Sequence, residues 1–119
     1  MRPLICFLLL LLASQVLHGG EVEIVSAEAE REGDGYRFHV TLRHADSGWE
    51  HYANVWRVLG PDGTLLGERI LYHPHVDEQP FTRSLSGVRI PPGTDYVEIE
   101  AGDSVHGASP GRWRLGLTR

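Results

Sequence analysis

Histidine is the residue type in this sequence that offers the most chemistry, because seven histidines occur and most of them fall in three short polar stretches. His18 lies in the N-terminal apolar region and His39 lies inside an alternating segment. Neutral imidazole binds zinc and copper(II) well, so histidines that three loops bring together predict a transition-metal site. The predicted metal ligands are His44, His51, His73, His75 and His106.

The spacing of His73 and His75 favours a pair of ligands. Side chains two residues apart on an extended chain point to the same side, and Pro74 holds the residue before it extended. The same residues also fit a rigid loop whose polar side chains bond the neighbouring backbone. In this second interpretation, loop-capping carboxylates such as Asp46, Asp77 and Asp103 hold the histidines in a structural network.

The other ligand types narrow the choice of metal. Cys6 and Met1 are the only sulfur-containing residues, and both lie at the extreme N-terminus. Thioether-rich copper(I) carriage and blue-copper electron transfer need sulfur ligands and are therefore excluded. Copper(II) or zinc, held by two or three histidines with a carboxylate, remains as the predicted cofactor.

A metal-free function is the alternative for the same loops. Aromatic and arginine side chains are typical of protein-binding surfaces. In this interpretation the chain is an interaction or accessory module that binds an unidentified protein partner. The residues expected at the contact are Trp49, Phe81, Arg83, Asp77 and Asp103.

No motif favours catalysis, and we expect this protein not to be an enzyme. The serines lack the Gly-x-Ser-x-Gly pattern of a nucleophile elbow. Asp77 and Glu78 are adjacent, and neighbouring residues of an extended chain face opposite ways, which does not suit a glycosidase pair.

The first nineteen residues have the pattern of a secretory signal peptide. Arg2 precedes an apolar run from Leu4 to Ala13, which is shorter than the roughly 20 residues that cross a bilayer. An uncleaved N-terminal anchor is the alternative. We expect cleavage near Gly20, a periplasmic or secreted product without membrane insertion, and one domain over residues 20–119 that contains no cysteine.

The charge of this domain argues against nucleic acid as a partner. All basic residues are arginines, and without Arg2 the domain carries 10 basic against 16 acidic residues, a formal charge of −6. Phosphate neutralisation by basic groups supplies most nucleic-acid affinity, so a mildly acidic domain without a basic patch is a poor binder.

Alternation of apolar and polar residues predicts seven β-strands and no helix. The clearest example places Tyr36, Phe38, Val40 and Leu42 on one face of a strand. The predicted strands, A to G, cover residues 21–30, 36–43, 52–59, 65–72, 81–90, 96–101 and 113–117.

The connections predict how these strands are arranged. Links A–B, C–D and E–F are short and rich in turn residues, whereas links B–C, D–E and F–G are longer. In a sandwich of alternating strands, the three longer loops therefore lie at one end. A small closed barrel is the alternative, but an odd number of strands and the long D–E link favour two sheets. The chain resembles immunoglobulin-like or fibronectin type III-like modules, which implies a seven-stranded antiparallel sandwich and carries no activity with it.

Three stretches carry a narrower resemblance. They are HADSGWEHYA at residues 44–53, HPHVDEQPFTRSL at 73–85 and DSVHG at 103–107. These stretches are similar to the signatures of small exported bacterial proteins that have no assigned activity. The resemblance implies export and the importance of the three loops, and it implies no reaction.

Overall fold

Eight β-strands and no helix make up the part of the chain that the structure, a computed structural model, describes: residues 20–117. The predicted signal peptide, residues 1–19, lies outside the described residues. Within residues 20–117 no helix is long and apolar enough to cross a bilayer. The strands are β1 (Glu23–Glu32), β2 (Gly35–Arg43), β3 (Ala53–Leu59), β4 (Leu65–Ile70), β5 (Phe81–Val88), β6 (Tyr96–Asp103), β7 (Gly107–Ala108) and β8 (Trp113–Gly116).

The first sheet has three antiparallel strands in the order β1-β2-β5. The predicted alternation in β2 is confirmed, because Phe38, Val40 and Leu42 are fully buried and Tyr36 is nearly so. The opposite face pairs polar side chains across the strands, as the His39 ring does with Ser84 and Glu30. This sheet therefore has one face in the core and one in water.

The second sheet has five strands in the order β4-β3-β6-β7, with β8 also paired to β6. The prediction of seven strands is wrong by one, because the F–G loop contains the two-residue strand β7, in which Gly107 pairs with Asp103 and Ala108 with Gly102. Two residues are too few to show an alternating pattern. The two sheets remain separate, so the closed-barrel alternative is excluded within residues 20–117.

The core lies between the two sheets. Phe38 and Leu42 from β2 pack in one cluster with Trp56 and Val58 from β3 and Ile99 from β6, all of them inaccessible to solvent. Apolar burial of this extent is the main stabilising term in a domain without a disulfide. It holds β2, β3 and β6 together, and two of the three longer loops leave from the ends of β2 and β6.

The two ends of the sandwich differ, as the lengths of the links predict. At one end the turns are short, and Gly33 between β1 and β2 adopts a φ of 61°, which favours glycine. At the other end the loops 44–52, 71–80 and 104–112 meet. The His51 ring lies 4.8 Å from the His44 ring and 5.0 Å from the His106 ring, measured between centroids. Histidines from two loops that are far apart in the sequence are thus neighbours in the structure.

Candidate metal centre

Asp46 organises the loop after β2. Its side chain is fully buried and accepts three hydrogen bonds: from the ring Nδ1 of His44 at 2.6 Å, from the amide of Ala53 at 3.0 Å and from the amide of His75 at 2.7 Å. A carboxylate that accepts from two amides acts only as an acceptor, so His44 must carry its proton on Nδ1. Asp46 therefore fixes both the orientation and the tautomer of His44.

The other ring nitrogen of His44 faces two oxygens. Its Nε2 lies 3.0 Å from the carbonyl oxygen of Gly20 and 3.5 Å from Oδ2 of Asp103. In a neutral ring protonated on Nδ1, this Nε2 carries a lone pair. Three electron-pair donors therefore face one another, an arrangement that needs a cation, either a proton on Nε2 or a metal ion.

Asp103 ends β6 and supplies the negative charge of the site. The carboxylate is fully buried and accepts from the amides of Val105 at 2.8 Å and His106 at 2.6 Å, and it lies 3.1 Å from the His106 Nδ1. Burial alone raises the pKa of Asp103, but the bonds from the two amides and the His106 ring outweigh it and hold the pKa below its usual value. Asp103 is therefore ionised at neutral pH.

His51 adds a third group with an unused nitrogen. Its side chain is a quarter exposed, yet the Nε2 atom itself is buried and has no hydrogen-bond partner among the described residues. The nearest charged atom is Oδ1 of Asp103, 3.4 Å away. Buried ring nitrogens are normally satisfied, so this one has a geometry that suits an additional ligand.

Two of the distances within this group are close to those between the ligands of a metal ion. Ligand atoms of His44, His51 and Asp103 all lie within 4.8 Å of one another. In tetrahedral zinc sites with bonds of about 2.0–2.1 Å, neighbouring ligand atoms are about 3.3 Å apart. The separations of 3.5 and 3.4 Å between Asp103 and the two histidines are of that size. We refer to His44, His51 and Asp103 as the His-Asp cluster.

His106 lies at the outer edge of the His-Asp cluster. Its side chain is about half exposed, and its Nδ1 faces both carboxylate oxygens of Asp103 at 3.1 Å. In this conformation the ring supports Asp103 from outside, which is the role of an outer partner that orients a metal ligand.

His73 and His75 do not join the His-Asp cluster. The His75 ring stacks on Phe81 at a centroid distance of 4.0 Å, and its Nε2 accepts a hydrogen bond of 2.8 Å from Arg83. An arginine can only donate, so this nitrogen is occupied. His73 is exposed, 4.8 Å from His75 between ring centroids. Arg83 therefore occupies one nitrogen of the expected pair, whereas Nδ1 of His75 is buried and has no hydrogen-bond partner among the described residues.

Burial and charge also keep His75 neutral. Burial lowers its pKa most, followed by electrostatic interactions with Arg83 and His73, against the opposite effect of Glu78 and Asp46. The neutral ring, with Nε2 as acceptor, fits its hydrogen bond with Arg83.

The residues expected at a protein contact differ in their exposure. Trp49 is 66% exposed and Asp77 is exposed, whereas Phe81 is 3% and Asp103 2% exposed. Arg83 is partly exposed and lies 3.5 Å from Glu78. Phe81 and Asp103 therefore belong to the interior and cannot form part of an outer surface.

Two residues that the sequence patterns do not reveal hold the site together. Gln79 accepts a hydrogen bond from the His44 amide and donates one to the His75 carbonyl, at 2.9 Å each, so it joins two loops. Gly20 contributes its carbonyl oxygen from the segment before β1. Every residue has a backbone carbonyl oxygen, so the sequence cannot show which one faces the site. A single glutamine in a polar loop is equally uninformative as a sequence signal.

Comparisons with known proteins give one informative relative. No model of a known protein family matches the chain, and no solved structure matches it. A protein of Halomicrobium mukohataei named "Putative lipoprotein" is 41% identical over 75 residues, which are 63% of this chain and 36% of that protein. The chain thus matches about a third of the relative's length, and the relative's name states no activity.

Proposed function

We propose that this chain is an exported binding module that holds one divalent transition-metal ion, zinc or copper(II), in the His-Asp cluster. The observation that carries the proposal is the convergence of two histidines on a buried carboxylate, with one buried imidazole nitrogen left unbonded. Two nitrogens and one carboxylate are a ligand set that both metals accept.

The surroundings of the cluster support a metal ligand role. Asp103 is ionised, as a ligand must be, and Asp46 holds the His44 ring from behind through Nδ1. A carboxylate bonded to the far nitrogen of a coordinating histidine is the usual outer-shell arrangement of zinc sites. The ion would bind at Nε2 of His44 and His51 and at the carboxylate of Asp103.

Export and the type of sandwich form part of the same proposal. A relative named as a lipoprotein and the predicted signal peptide both favour a protein outside the cytoplasm. Two sheets with the strand orders β1-β2-β5 and β4-β3-β6-β8 favour an immunoglobulin-like or fibronectin type III-like sandwich. In this chain β4 pairs with β3. In constant-type immunoglobulin domains the fourth strand instead joins the sheet that contains the first strand.

A protein-interaction module is the second candidate, favoured by apolar side chains on the three longer loops. Trp49, Tyr72, Val76 and Val105 are each more than half exposed at this end. Exposed apolar groups gathered in one region are typical of a contact surface. If this surface is the function, Trp49→Ala and Tyr72→Ala weaken capture of a partner from the exported fraction, and chelators leave it unchanged.

Elemental analysis of protein isolated from its native compartment is the direct test of metal binding. We expect one equivalent of zinc or copper, and calorimetric titration of the metal-free protein with zinc should reach saturation at one equivalent. Asp103→Asn should abolish this binding, whereas Asp77→Asn, at an exposed position of the same end, should preserve it. Absence of stoichiometric binding, or equal binding by both variants, would overturn the proposal.

A further inference from the structure

We infer that the carbonyl oxygen of Gly20 is a fourth ligand, so that the bound ion ties the segment before β1 to the loop end. The inference rests on the proposed metal site in the His-Asp cluster. It assigns a ligand from outside the three histidine-bearing loops. It also indicates what the metal does, because a site closed by four protein ligands is structural.

The position of Gly20 carries the inference. Its carbonyl oxygen lies 3.0 Å from Nε2 of His44, about the separation of neighbouring ligands on one ion. The Nδ1 atom of His44 donates to Asp46, so Nε2 is the ring nitrogen that is left to face this oxygen. A carbonyl oxygen only accepts, so this contact needs a cation between the two atoms, either the proton of Nε2 or a metal ion that both atoms bind.

The local backbone holds Gly20 against the cluster. Its φ is 97°, which favours glycine, and a Cβ atom added there would lie 2.5 Å from Cε1 of His106, so the His106 ring would have to shift. Two residues later Val22 is buried, and its amide donates to the Ser109 hydroxyl at 2.9 Å. The segment is therefore anchored beside the site through contacts of its own.

A metal held in this way acts as a cross-link. It would connect the segment that leads into β1 with Asp103 at the end of β6. The strand β1 belongs to the three-stranded sheet and β6 to the five-stranded sheet, so the ion would link the two sheets. Residues 20–117 contain no cysteine, so no disulfide can supply such a connection. Small exported domains commonly use disulfides or a structural metal for this purpose.

Selective isotope labelling tests the ligand directly. With glycine labelled by carbon-13 at the carbonyl and glutamate by nitrogen-15, a carbonyl-to-amide correlation spectrum shows only Gly–Glu pairs. The sequence has two such pairs, Gly20–Glu21 and Gly67–Glu68. Gly67 lies in β4 and is the internal control. The full chain is titrated with zinc alone at pH 8.5, where free imidazole is neutral, and imidazole signals are recorded in parallel.

We expect the Gly20 signal to move and to saturate at one equivalent of zinc, while the Gly67 signal stays in place. If the imidazole signals of His44 and His51 respond and Gly20 does not, the fourth-ligand assignment is wrong while the metal site stands. If none of these signals responds, the proposed function itself fails.

A pair of glycine variants gives independent evidence. Gly20→Ala introduces the contact with His106 and should weaken zinc binding at least about tenfold, as loss of a ligand's support does. Gly33→Ala is the matched control, since Gly33 also has a positive φ of 61° but has no atom within 4 Å of the added Cβ. Equal zinc affinity in the two variants would contradict the inference.

Discussion

The Nε2 atom of His51 lies 3.4 Å from Oδ1 of Asp103 and is buried without a hydrogen-bond partner among residues 20–117. Leaving a buried polar nitrogen unbonded costs about 1–3 kcal/mol. A metal ion shared by these two residues removes that cost. The unbonded nitrogen supports the proposed metal site, because an imidazole nitrogen can bind a metal ion, whereas the unbonded indole N–H of Trp56 can only donate.

His51→Ala should abolish metal binding without harming the metal-free fold. The Nε2 atom that is removed makes no hydrogen bond among the described residues, so the free energy of unfolding in a chelator should change by less than about 1 kcal/mol. Zinc affinity should fall by more than the roughly 10- to 100-fold that loss of an outer partner causes. Calorimetric titration and urea unfolding measure the two effects. His73→Ala, at an exposed position outside the cluster, is the control, and an equal loss of affinity there would contradict the assignment.

Asp46→Asn should weaken both the fold and the metal site. Its carboxylate accepts from His44, Ala53 and His75, and an amide would turn one of those bonds into a contact between two donors. We expect the metal-free protein to lose about 2–3 kcal/mol of stability. Zinc affinity should fall about 10- to 100-fold, because His44 loses its orientation and tautomer.

Urea unfolding in a chelator and zinc titration separate these two losses. Asp77→Asn is the matched control, since Asp77 is exposed in the next loop. If Asp46→Asn bound zinc as tightly as the unmodified protein, Asp46 would not position His44.

The strands could be predicted from the sequence because alternation reports directly which side of a strand faces the core. The pattern in β2 is explicit, and Tyr36, Phe38, Val40 and Leu42 are all buried. The two-residue strand β7 could not be predicted, since its pairing with β6 is set by the tertiary fold. The gathering of three loops at one end followed from their lengths and the alternating strand directions.

The division of the histidines within that end could not be predicted from their types. His44 and His51 converge on Asp103, while His75 is taken by Arg83 and Phe81. Residue spacing cannot predict which histidines share a site, because this depends on the residues of other loops that each ring contacts in the folded chain.

Trp56 gives a prediction about the core of the five-stranded sheet. The residue is fully buried, and its indole nitrogen has no hydrogen-bond partner among the described residues. Trp56→Ala should cost about 3–5 kcal/mol through the cavity it leaves. Trp56→Phe should cost clearly less, because it removes an N–H group that is already unsatisfied and keeps an aromatic ring. Thermal and urea unfolding measure both costs, and a loss for Trp56→Phe as large as that for Trp56→Ala would show that the indole nitrogen makes an essential bond.

His75 predicts a loss of stability on acidification. Its pKa in the folded protein is held below the ordinary value by burial and by Arg83 and His73, despite Glu78 and Asp46. The unfolded chain therefore takes up a proton at higher pH than the folded protein does. The stability that the neutral ring contributes is complete above about pH 6.5 and is lost as the pH falls through the lowered pKa.

His75→Gln keeps an acceptor for Arg83 and removes the titration. In a chelator, its free energy of unfolding should fall less between pH 8 and pH 5 than that of the unmodified protein, whatever its absolute value. His39→Gln is the control, because His39 lies on the outer face of β2 beside Ser84 and Glu30. Urea unfolding at both pH values measures the difference. The same pH dependence with and without His75 would show that its ring does not become protonated as the chain unfolds.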